Sequence, residues 1–98
     1  MGQMMKPKIG RKVYCIYQDG IFVDTVGYLG KESFIVDSIN SGGTEDDSWE
    51  WNYEDYNVQW FTSLAKAKKA LIERYQDRCE GKLKVTQITE DWYALEFC

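Results

Sequence analysis

The sequence predicts an α+β domain, a small bent antiparallel sheet carrying one packed helix, in the order β-β-β-β-α-β-β. Three observations lead there. β-Branched and aromatic residues alternate with period two through residues 13–39. One stretch, residues 61–81, switches to helical spacing. The length of 98 residues, 44% hydrophobic and 15% aromatic, suits a single folded domain over residues 1–98 with one core. Residues 1–10 are expected to form a flexible N-terminal tail.

The first element is a β-hairpin, "KVYCIYQDGIFVDTVGYLG", in which Val13, Cys15 and Tyr17 alternate with Tyr14 and Ile16. Asp19-Gly20 is the expected turn, because glycine takes positive φ freely and aspartate tolerates it. The second strand, about Ile21 to Leu29, contains Gly27, and a glycine inside a strand marks a bulge or a sharp bend. "GKE" turns the chain into a third strand, Ser33 to Ile39. This meander with its glycine-marked long strand favours a small barrel of the Src-homology-3 type. "NSGGTEDDS" is a loop by composition. "WEWNY" then places Trp49, Trp51 and Tyr53 on one face and Glu50 and Asn52 on the other, as a half-buried strand does.

The helix follows, with Thr62 or Ser63 as N-cap and Leu64, Ala67, Leu71, Ile72, Tyr75 and Cys79 along one face. "KLKVTQITEDWYALEFC" closes the chain as two strands, with Glu90-Asp91 at their turn and Tyr93, Leu95 and Phe97 on one face.

Composition argues against several chemistries. There is no histidine, which removes the commonest general base and metal ligand. Cys15, Cys79 and Cys98 form no C-x-x-C pair, so neither a disulfide framework nor a zinc site is expected, and the reducing bacterial cytoplasm is the natural compartment. Phosphate-binding glycine motifs are absent. Asp24 and Asp37 lie inside strands and are expected to face solvent. "TEDDSWEWNYED" offers oxygen ligands without the rhythm of a calcium loop. The chain reads as a non-catalytic binding domain with no cofactor and no metal.

Charge is distributed unevenly. The net charge is −4, yet residues 32–65 contain eight acidic residues and no lysine or arginine. Ordinary surfaces intersperse both signs. At the centre of this window Glu45, Asp46, Asp47, Glu50, Glu54 and Asp55 are interleaved with aromatics. Extended, residues 45–55 span at most ~37 Å, or one charge per ~6 Å. A DNA strand carries one per ~3.4 Å. These six acids, with Trp49 as an aromatic anchor, are therefore the expected partner-binding residues, directed at a basic protein surface. Direct nucleic-acid binding is disfavoured, because an acidic patch repels phosphates.

"GRKVYCIYQDGIFVDTVGYLGKESFIVDSI" followed by "WFTSLAKAKKAL" resembles short proteins carried by phages and mobile elements of gut Firmicutes, over residues 10–72. Small acidic proteins of such elements include anti-CRISPR proteins. The resemblance implies a partner of that class, a CRISPR effector nuclease or its guide complex, blocked at a basic nucleic-acid-binding surface. It assigns no residue roles. Two other readings stand beside it. One is a small barrel adaptor that binds a peptide through exposed aromatics such as Tyr14, Tyr17 or Tyr28. The other is an immunity protein for a toxin nuclease, which shares the acidic logic.

Overall fold

The computed structural model describes residues 5–37, 49–78 and 81–96. Among the described residues, seven strands form one antiparallel sheet: β1 (Lys12–Tyr17), β2 (Gly20–Leu29), β3 (Ser33–Asp37), β4 (Trp49–Asn52), β5 (Trp60–Phe61), β6 (Lys84–Thr89) and β7 (Trp92–Glu96). The helix α1 (Leu64–Tyr75) follows β5. The predicted order holds, with the two-residue β5 added in front of the helix. So short a strand leaves no alternation to read.

Strand order is β4-β3-β2-β1-β5, and β7 pairs with both β2 and β6. The ten-residue β2 organises the sheet. One edge pairs with β1 through residues 20–25. The other edge is shared: residues 20–22 pair with β7 and residues 25–29 with β3. The register shifts between Val26 and Tyr28, so Gly27 marks the expected bulge. Phe34 of β3 and Trp60 of β5 lie on strands separated by β2 and β1, yet their rings meet edge to face at 4.7 Å. The sheet therefore curls into a half-barrel. The Trp60 indole closes it further by donating to the Asn52 carbonyl at 2.8 Å.

Each face of the sheet has its own core. Val13, Cys15, Val26, Phe34, Val36, Tyr53 and Trp60 fill the inside of the curl. Ile16, Ile21, Phe61, Leu83 and Leu95 meet Ala67 and Leu71 of the helix on the other face. The Ser63 hydroxyl caps α1 by accepting from the Lys66 amide, and Leu64, Ile72 and Tyr75 lie on the packed face as expected. Cys79 and Phe97 lie outside the described residues.

Two expectations are corrected. The hairpin loop is Gln18-Asp19, with φ +56° at Gln18, and Tyr17 pairs with Gly20. Gly20 serves close approach instead of the turn. A Cβ there would lie 3.0 Å from the Trp92 indole nitrogen and 3.2 Å from the Tyr93 carbonyl oxygen. Asp24, expected on the polar face, is buried at 8% exposure. Its pairing with Val13, next to the Cys15–Phe22 pair, fixes it on the inner face. Residues 5–10 run along the domain: the Met5 amide donates to the Tyr53 carbonyl, the Gly10 amide to the Val26 carbonyl, and Pro7 is buried.

Candidate functional site

Acidic residues gather where β3, β4 and the turn after β4 meet. Glu50 is exposed on β4, and its carboxylate accepts from the Ser33 hydroxyl. Residues Tyr53–Asp55 form one 3-10 turn that projects Glu54 into solvent and leaves Asp55 half-buried, its carbonyl accepting from the Val58 and Gln59 amides. Tyr53 anchors this turn from the core. Its hydroxyl donates to the Gly30 carbonyl at 2.7 Å, and its amide donates to the Glu32 carbonyl. Burial, with Tyr28 nearby, raises the phenol above its ordinary value. Glu32, Asn52, Tyr53 and Glu54 line a cavity of about 340 Å³. Lys6 stands 6.0 Å from the Tyr53 ring centroid.

The structure thus brings Glu50, Glu54 and Asp55 onto neighbouring elements and adds Glu32, which sequence reasoning left out of the site. Glu45, Asp46 and Asp47 lie outside the described residues, and Trp49 enters as the first residue of β4, by its backbone alone. Trp51 packs against the inner core, and its buried indole nitrogen meets no acceptor among the described residues.

A second group of polar and aromatic residues was not anticipated. Phe22 of β2 and Trp92 of β7 are cross-strand partners with nearly parallel rings, 7° apart in plane and 6.1 Å between centroids. Tyr17 adds a third ring 6.4 Å from Phe22. Trp92 and Tyr17 are 39% and 42% exposed. Two residues along β2, on the same face, stands Asp24. It sits at the fork where the partner of β2 changes from β7 to β3. The Val23 amide donates to the Asp91 carbonyl there, which brings the β6–β7 turn alongside.

Burial, and behind it the Asp91 carboxylate, pushes Asp24 up to about 6. No hydrogen bond or ion pair reaches the Asp24 carboxylate among the described residues. Burial, then the charge of Asp24, pushes the Cys15 thiol well above its ordinary value, so it is a core residue and a poor nucleophile. The alternation of β2 carried the signal for Asp24, since it shares parity with Phe22 and Val26.

The exposed tyrosines of the adaptor reading are dispersed. Tyr14 is half-buried on the helix side, Tyr17 ends the hairpin, and Tyr28 lies beyond the bulge. Among the described residues no three His, Cys, Asp or Glu side chains gather as metal ligands. No helix among them is long and apolar enough to cross a membrane. Compared with known proteins, the chain matches no protein family, no curated protein and no solved structure.

Proposed function

We propose that this chain is a non-catalytic domain that binds a basic protein surface through the acidic edge of its half-barrel. The supporting observation is the exposure of Glu32, Glu50 and Glu54 around β4, with no ion pair to any of them among the described residues. They belong to a window of 34 residues without lysine or arginine. Exposed, unneutralised acids steer a basic partner at long range, and aromatic anchors at their margin supply contact energy once it has docked. The absence of histidine and the buried state of Cys15 favour binding over catalysis.

The most concrete partner is a CRISPR effector nuclease whose nucleic-acid channel the acidic edge would fill, the partner that the resemblance read from the sequence implies. The bacterial cytoplasm is where such a partner would be met. DNA cleavage by effector nucleases from gut Firmicutes, assayed with and without the protein, tests this directly. Inhibition is expected, with affinity falling as salt rises and by at least tenfold in the Glu50→Lys/Glu54→Lys protein. Uninhibited cleavage rejects the nuclease partner. Inhibition that survives both substitutions and high salt rejects the acidic edge.

A further inference from the structure

We propose that the inner face of β2 and β7 forms a second binding site, one that takes an arginine side chain from a partner protein, with Trp92 and Phe22 as its floor and Asp24 as its anion. This site is distinct from the acidic edge at β4 and does not depend on that edge being functional.

The chemistry of the floor selects the ligand. Phe22 stacks near-parallel on Trp92, whose partly exposed indole presents a π face, and guanidinium stacks on such a face. A planar, weakly hydrated cation loses less on leaving water than a compact ammonium does, which favours arginine over lysine. The carboxylate is the second, independent observation. Asp24 is more than nine-tenths buried, has no hydrogen-bond or ion-pair partner among the described residues, and sits on the same face as the rings. The Asp24 oxygens keep a narrow contact with solvent, and a guanidinium would replace that water with two N–H donors and a positive charge. Asp91 beside it adds a second negative charge. Among the described residues no ion pair reaches either acid, which defines the sign of the ligand.

Gly20 fixes the position of the Trp92 ring. The absence of a side chain there lets the Trp92 indole nitrogen come close to β2, where a Cβ would meet it at 3.0 Å. The ring is held in place before any ligand arrives, and preorganisation lowers the ordering cost of binding.

Nuclear magnetic resonance on the full chain, titrated with a hexa-arginine peptide and with hexa-citrulline as its neutral isostere, tests the site. Hexa-arginine is expected to shift the Trp92 indole N–H and the amides of Phe22 and Asp24; hexa-citrulline is expected to leave them in place. Asp24→Asn should weaken the response at Trp92 at least tenfold, while the Glu50→Lys/Glu54→Lys protein should retain it. The Asp24 carboxylate of the unsubstituted chain, followed through its carboxyl carbon shift, should protonate at lower pH when hexa-arginine is present. Shifts confined to the β4 edge, equal shifts with hexa-citrulline, or an Asp24 titration that hexa-arginine does not move would each overturn the proposal.

Discussion

Asp24 is the residue at which the fold works against itself. Its carboxyl titrates near 6 in the folded chain and near 4 when unfolded, so the native state holds its proton more tightly. The contribution of Asp24 to stability is therefore fully present below about pH 4, falls as pH rises to about 6, and is lost above that. Cys15 on β1 and Asp91 in the β6–β7 turn are coupled electrostatically to Asp24, and neither supplies a positive charge. Asp24→Asn is expected to stabilise the protein at pH 7.5 by on the order of 1–2 kcal/mol, allowing for screening by water at the rim of the sheet. The gain should vanish near pH 4. Urea denaturation of both proteins across pH 4–8 measures it, and parallel pH profiles would show that Asp24 is not the source. A partly destabilising carboxylate kept inside a small core is what a binding role for that residue would require.

At the scale of elements, most of the fold was legible because each strand and the helix declares its period. The hairpin shows why an error in the turn did little harm. Placing the loop at Asp19-Gly20 pairs Cys15 with Asp24, whereas the observed loop pairs Cys15 with Phe22. The slip is two residues, and side chains alternate with period two, so every face assignment survives. Burial of Asp24 followed from that parity, but a charged residue is ordinarily assigned to solvent, and the β2 fork is a product of topology. Trp92 was equally hidden, because its partner Phe22 lies seventy residues earlier in the chain. Glu50 and Glu54 were legible from alternation and from the turn, while Glu32 joins them through strand pairing alone. Gly20→Ala tests the tight contact between β2 and β7. The added methyl should cost about 1–3 kcal/mol in chemical denaturation and displace the Trp92 indole resonance. A neutral substitution would show that the two strands can separate without loss.

The whole molecule is electrically lopsided. Lys66, Lys69 and Arg74 are exposed on α1, and Lys68 lies 5.3 Å from the Tyr93 ring centroid. Arg74 also secures the approach to β5 by donating to Gln59 Oε1 at 3.2 Å and to the Val58 carbonyl. Helix and acidic edge thus carry opposite signs, and a dipole of this kind orients an approaching basic surface before contact. The curl that holds the two regions in place depends on Trp60, fully buried between β4 and β1 with its indole bonded to Asn52. Trp60→Phe should cost about 1–3 kcal/mol for the unmade hydrogen bond, with a further loss from the cavity left behind. Thermal unfolding followed by circular dichroism checks this, and an unchanged midpoint would mean that the barrel does not rely on the clasp.

The position of β4 at the end of the strand order has a consequence for solubility. Among the described strands, β3 is its one neighbour, and the Trp60 indole takes the Asn52 carbonyl, so the backbone groups of Trp49–Trp51 not paired with β3 form an edge to which another chain could add a strand. Charged side chains on an edge discourage that addition, and Glu50 occupies such a position. The acids that would attract a basic partner therefore also keep copies of this chain apart. Neutral replacements at Glu50 and Glu54 would remove both effects together and invite aggregation. Lysine reverses attraction to the partner while still guarding the edge.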